Sequence, residues 1–157
     1  MWHPDPDLRR STLGLIQGEK NLIANLSNIS AVIYHTLPDL NWAGFYMWDK
    51  KHQELVLGPF QGKPACLRIK ANRGVCGAAY TTQKTQCVAD VHAFPGHIAC
   101  DAASRSEVVV PLMWQGQCVG VLDLDSPTLN RFTLAEAQFL EDLMKEIMPL
   151  IWEGRES

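Results

Sequence analysis

Two apolar segments, Glu107–Met113 and Cys118–Asp125, are separated by a short glycine-centred link, Gln115-Gly116-Gln117. So short a link permits only an antiparallel hairpin, because parallel strands need a crossover of a dozen or more residues. The register follows from what must be buried. A three-residue loop at 115–117, with Gly116 in a left-handed conformation, sets Val108, Val110 and Leu112 against Leu124, Leu122 and Gly120. A two-residue turn would place Val108 opposite Asp123 on a buried face, a poor match. In the favoured register the other face carries Glu107 across from Asp125, with Asp123 one pair away. Three carboxylates so close cannot all ionise freely, so at least one has a raised pKa. Such a group donates a proton at neutral pH or binds a ligand's ammonium. Asp125 alone, before Ser126-Pro127, reads as an ordinary turn residue at a sheet end. The convergence of three favours function.

The remaining elements frame this hairpin. Leu22, Leu26, Ile29, Ile33 and Leu37 recur at helical spacing, and Pro38 stops the helix. Asn41–Trp48 reads as an aromatic strand, and Glu54–Gly58 as its hairpin partner beyond a turn at Asp49-Lys50-Lys51. Residues 59–70 read as irregular, Gly74–Tyr80 as a loop entering a short helix, and Gln86–Val91 as a short strand before the long segment 92–106. Thr133-Leu134-Ala135-Glu136 is a capping-box signature. It opens a last helix with Leu140, Leu143, Ile147 and Ile151 on one face. Strands in the middle and helices at both ends predict an α+β fold: a central antiparallel sheet with the N- and C-terminal helices packed on one face. One domain is expected over residues 1–157, with 1–12 a flexible lead.

Composition narrows the function. A length of 157 residues suits one core. A net charge of −3 gives no basic footprint for nucleic acid, and no stretch reaches membrane-span length. Met1–Asp7 carries prolines and acids where a secretory signal has an apolar core, so the cytoplasm is expected. Disulfides there are usually transient and catalytic. Five cysteines cannot form a fully paired framework within one chain.

Cys100 stands in a polar stretch of small residues, Gly96-His97-Ile98-Ala99-Cys100-Asp101-Ala102-Ala103-Ser104, just before the strand that Glu107 opens. A structural cysteine sits in an apolar run. A reactive one needs an open, polar setting that favours its thiolate. Cys66 lies in the irregular region. Cys76, at a helix start, reads either as a thiol whose pKa the helix dipole lowers or as packing beside Gly74 and Gly77. Cys118, and Cys87 within its strand, read as small hydrophobes. Cys87, His92, His97 and Cys100 resemble a zinc set only superficially, with no C-x-x-C hook, so no metal is expected. A Cys100/His97 acyl-transfer pair is weaker still. Trp42, Gly44, Tyr46 and Trp48 share a strand face, which is an aromatic core or a wall for a thioether or methyl group.

Gly18–Leu26, Asn41–Tyr46, Gly74-Val75-Cys76-Gly77, Gly96–Glu107 and Gly120–Pro127 together resemble the free methionine-(R)-sulfoxide reductases, enzymes built on a single GAF domain. The trio Cys66, Cys76 and Cys100 is the specific part of that resemblance, since GAF folds alone host many functions. The resemblance implies reduction of the free amino acid's R-sulfoxide. The thiolate of Cys100 attacks sulfur and becomes a sulfenic acid, Cys66 condenses with it to a disulfide, and thioredoxin reduces that bond. It assigns the acids to Glu107, Asp123 and Asp125 and the aromatic wall to Trp42 and Tyr46, and it implies a homodimer. Cys76 is carried with the trio without a settled role. Sulfoxide oxygen leaves only if protonated, which the acids can supply. Backbone N–H groups at Cys100 and Asp101 could hold that oxygen. No cofactor is called for.

Two other classes compete. A non-catalytic GAF sensor would bind a small molecule without turnover and calls for a linked output domain. A thiol redox switch would form Cys66–Cys100 without a substrate, and has no need of the carboxylates.

Overall fold

The computed structural model describes residues 6–98 and 100–156. Among the described residues the strands are β1 (Trp42–Asp49), β2 (Glu54–Gly62), β3 (Arg68–Lys70), β4 (Gln86–Val88), β5 (Ser106–Trp114) and β6 (Gln117–Ser126). These six form one antiparallel sheet in the order β3-β2-β1-β6-β5-β4. The helices are α1 (Pro6–Ile16), α2 (Leu22–Thr36), α3 (Gly74–Thr82) and α4 (Leu134–Trp152), with a 3-10 turn at Val91–Ala93. Alternation along each strand divides the core in two. Phe45, Val108, Val110, Leu122 and Leu124 face α1, α2 and α4. Trp42, Tyr46, Val109 and Val121 face α3 and the connecting segments. The terminal helices therefore share one face, as the hydrophobic periodicity predicts, and the other is left for a pocket.

The helix ends follow the expected chemistry. Asn21 Oδ1 accepts the Ala24 N–H at 2.9 Å to open α2. Leu37 is already extended because it precedes Pro38. Thr133 Oγ1 accepts the Glu136 N–H at 3.0 Å. Glu136 does not reach back to complete the box. It is fully buried and accepts Arg131 Nη1 at 2.7 Å, while Arg131 Nε donates to the Pro38 carbonyl. That pair ties the end of α2 to the start of α4.

Three expectations are corrected. Residues 6–12 are not a flexible lead but most of α1, with Leu8, Thr12 and Ile16 buried and Arg9 paired with Glu146 of α4. A proline at the first turn of a helix costs nothing, since its missing N–H would be unpaired anyway. Residues 1–5 lie outside the described residues. Second, β2 continues through Pro59 to Gly62, and β3 follows where irregular chain was expected. Pro59 fits because the β1–β2 register slips between Gly44 and Tyr46, and because β3 pairs only with residues 54–56. A Cβ at Gly44 would lie 2.3 Å from that of Phe60, so this close approach requires glycine.

Third, the β5–β6 register is the expected one, but the turn is not. Trp114 pairs with Gln117, leaving only Gln115 and Gly116 in the turn, at φ 50° and 78°. Two positive φ values make the twist-matched two-residue hairpin turn. A bulge between Leu112 and Met113 then takes up one residue and restores Leu112 opposite Gly120.

Candidate active site

The face of the sheet turned toward α3 carries Glu107, Asp123 and Asp125. Glu107 pairs with Asp125 across β5 and β6, and β1 sets Trp42 beside Asp125 and Gly44 beside Asp123. Their exposures are 7%, 6% and 8%. None meets a cation in an ion pair among the described residues. Burial pushes all three carboxyls well above their ordinary range, and their mutual repulsion pushes further. The cluster is therefore biased toward its protonated form. Asp123 Oδ1 is buried with no hydrogen-bond partner, an acceptor left free in the pocket.

Cys76 enters from the first turn of α3. Its sulfur and one oxygen each of Glu107 and Asp123 lie within 4.8 Å of one another. The helix start does not activate this thiol. Cys76 is buried, and burial together with Asp123, Glu107 and Asp125 pushes its pKa well above the ordinary value. Such a group stays a thiol, so of the two readings of Cys76 the buried one holds and the dipole-lowered thiolate does not.

Cys66, between β2 and β3, is disulfide-bonded to Cys100, with Cα atoms 5.3 Å apart. Cys100 lines the pocket with the three acids, Trp42 and Tyr46. In this disulfide form the cavity volume is about 40 Å³. The Cys100 N–H donates to the Ile98 carbonyl at 3.1 Å. In this disulfide form that N–H is engaged within its own loop.

The aromatic wall is braced from behind. Trp42 and Tyr46 stack with centroids 5.8 Å apart, and Trp42 stacks on Phe60 at 5.2 Å. Trp42 Nε1 donates to the Lys63 carbonyl at 3.2 Å, and the Tyr46 hydroxyl to the Cys66 carbonyl at 2.9 Å. Burial raises the Tyr46 pKa far above normal, and Asp123 adds to this, so the donor stays protonated. Trp48, on the same strand face, packs on Tyr80 instead and is ordinary core.

Asp101 is committed to shaping its loop. Its Oδ1 accepts the Ala103 N–H at 2.8 Å, and its Oδ2 accepts Asn41 Nδ2 at 3.0 Å. Asn41 Nδ2 also donates to Ser104 Oγ at 3.0 Å. Asn41 and Ser104 are functional candidates that sequence reasoning missed, since short polar residues beside turns carry no distinguishing signal. Arg73 and His97 also line the pocket; burial and His92 lower the His97 pKa, which favours its neutral form. The zinc set considered from spacing does not assemble. Cys100 is disulfide-bonded, and Cys87 packs with the opposite core with its thiol on the Phe132 carbonyl. Cys118 is buried with its thiol on the Gly120 carbonyl, the structural role expected of it.

The GAF domain matches residues 21–149 of the chain. The free methionine-R-sulfoxide reductase of Escherichia coli (strain K12) is 50% identical over 141 residues, which cover 90% of this chain and 84% of that protein. The enzyme of the same description from Saccharomyces cerevisiae (strain S288c) is 46% identical over 140 residues, covering 85% of this chain and 78% of that one. The structure of fRMsr of Staphylococcus aureus in complex with substrate superposes with a TM-score of 0.88 at 44% identity, covering 96% of this chain and 99% of that one. The chain therefore belongs to the GAF domain family and, within it, to the free methionine-R-sulfoxide reductases.

Proposed function

We propose that the protein reduces the R-epimer of free methionine sulfoxide to methionine by thiol chemistry. The observation that carries this reading is the Cys66–Cys100 disulfide beside a pocket lined by Cys100 and three buried carboxyls whose pKa values are raised. A redox switch has no use for that acid cluster, and a sensor none for the disulfide.

The sequence of steps follows from the placement of the groups. The Cys100 thiolate attacks the sulfoxide sulfur, while a carboxyl of the Glu107–Asp123–Asp125 cluster gives its proton to the oxygen. Oxygen passes to Cys100 as methionine leaves, giving a sulfenic acid. The Cys66 thiol then displaces water from that sulfur and closes the disulfide. The balance is one sulfoxide and two thiols converted to methionine, water and one disulfide. Trp42 and Tyr46 offer aromatic faces to the S-methyl group. An ammonium entering the pocket makes ionisation of one buried carboxyl less costly, which gives the cluster a second use in holding a free amino acid. In this reading the disulfide form is the spent state, because Cys100 is no longer a thiolate until the bond is reduced. Thioredoxin as reductant, a homodimeric assembly and a cytoplasmic location belong to the same reading.

The test is to incubate the protein with free methionine (R)- and (S)-sulfoxide, and with the sulfoxide inside a peptide, each with a dithiol, and to follow methionine. The reading expects methionine from the free R-epimer, with the peptide a poor substrate because it lacks the ammonium. Absence of turnover returns the protein to a sensor or switch.

A further inference from the structure

Reopening the Cys66–Cys100 disulfide takes two electrons from outside the chain, and its two sulfurs are not equally placed to receive them. Both residues are half-buried, but Cys100 lines the pocket whereas Cys66 lies outside that lining. The segment that carries Cys66 is held by its carbonyls. Lys63 O accepts Trp42 Nε1, Cys66 O accepts the Tyr46 hydroxyl, and Leu67 O accepts the Leu57 N–H at 2.9 Å. With these three carbonyls occupied by donors of β1 and β2, the Leu67 side chain stands 73% exposed beside the disulfide. A lone exposed leucine is unremarkable on a protein surface. An apolar side chain held outward by an anchored backbone, next in sequence to a redox-active sulfur, is a different case.

Charge adds a second, independent observation. Residues 61–73 contain Lys63, Arg68, Lys70 and Arg73, all exposed, and no acid, in a chain of net charge −3. Arg68 is answered by Asp49 and Glu54. Lys63, Lys70 and Arg73 form no ion pair among the described residues.

We propose that the basic segment 61–73, with Leu67 next to Cys66 and with Lys63, Lys70 and Arg73 along it, forms the docking surface for a dithiol protein with an acidic face, which attacks the sulfur of Cys66. A thiolate of the partner attacks Cys66 Sγ, the Cys66–Cys100 bond breaks, and Cys100 leaves as a thiolate facing the pocket. The partner's second thiolate attacks its own sulfur in the mixed disulfide and releases Cys66 as a thiolate. The partner ends as a disulfide, and its two thiols have supplied two electrons and two protons. This direction of attack returns the sulfur that lines the pocket directly to its thiolate. Opposite charges across such a contact act mainly on the rate of encounter.

The idea deepens the proposed cycle but is tested without its substrate. The oxidised protein is mixed with thioredoxin as the probe, with no sulfoxide present, and disulfide reduction is followed. A thioredoxin variant lacking its second active-site cysteine should trap a mixed disulfide that peptide mapping places on Cys66. Leu67→Ser should slow reduction by thioredoxin by about fivefold or more, the scale of a modest interface contact. It should leave reduction by dithiothreitol unchanged, and Leu67→Met should restore the thioredoxin rate. Raising the ionic strength should slow thioredoxin alone. Trapping on Cys100, an unchanged thioredoxin rate in Leu67→Ser, or an equal loss with dithiothreitol would overturn the proposal. Failure of the sulfoxide reading would show only as absent methionine, which none of these measurements records.

Discussion

Glu107 and Asp125 stand directly opposite one another across β5 and β6, each less than one-tenth exposed and with no cation beside either among the described residues. Two acids so placed, with Asp123 on the same face, resist ionising together. Their value to a reaction is that burial and mutual repulsion favour the acid form more than at surface carboxyls.

Replacing that proton source should be costly. Glu107→Gln and Asp125→Asn keep shape while removing the acid, and at least one of them should lose on the order of a hundredfold or more in rate. Steady-state methionine formation measures it. Near-normal rates in both, and in Asp123→Asn, would reduce the cluster to a buried structural feature.

The same protons make stability depend on pH. The folded-state pKa of Asp123 is raised above its unfolded value, so the native state binds more protons and stability falls as pH rises. The loss starts near the ordinary carboxylate range, about pH 4, and continues toward the raised folded value. Asp123→Asn removes one contributor. Its unfolding free energy relative to the parent should therefore improve from pH 4 to pH 8, each tenfold change in acidity being worth about 1.4 kcal/mol. Chemical denaturation at the two pH values gives the difference. A parallel shift of both proteins would contradict the assignment.

Tyr46→Phe keeps the aromatic wall and removes the donor to the Cys66 carbonyl. A cost of about 1 kcal/mol in stability is expected from the lost hydrogen bond. The sulfenic acid on Cys100 should also live longer, because Cys66 is less firmly placed to meet it. Trapping the sulfenic acid with a dimedone reagent at timed intervals reads this out. An unchanged lifetime would confine the hydroxyl to stability.

Cys87→Ala and Cys118→Ala should keep full methionine turnover, since both thiols bond to backbone carbonyls away from the pocket and burial keeps them protonated. Loss of turnover in either, with the fold intact by circular dichroism, would show that the thiol inventory is incomplete.

The acid cluster was legible because alternation fixes which residues share a face, and only one register buried Val108, Val110 and Leu112 together. The turn was not, because a bulge and a shorter turn cancel in the register. Helix α1 was hidden by the prolines and acids of the first seven residues, although Leu8, Thr12 and Ile16 already lie at helical spacing. Strand β2 was cut short at Pro59 because the slipped register that tolerates it comes from Gly44, on the neighbouring strand. For the thiols, spacing cannot give connectivity. The pairing of Cys66 with Cys100 came only from the family resemblance. The raised pKa of Cys76 depends on carboxylates that meet it only in the folded sheet.

The central claim, that Cys100 meets the substrate and Cys66 acts afterwards, is tested most directly by a single turnover without reductant. Reduced Cys66→Ser, and the Cys66→Ser/Cys76→Ser double variant, are mixed with excess free methionine (R)-sulfoxide and the methionine released is counted. About one methionine per chain is expected from each, because the sulfenic acid forms before any resolving thiol is needed. Cys100→Ser should release none. A methionine burst from Cys100→Ser, with the burst lost in Cys66→Ser, would contradict the account.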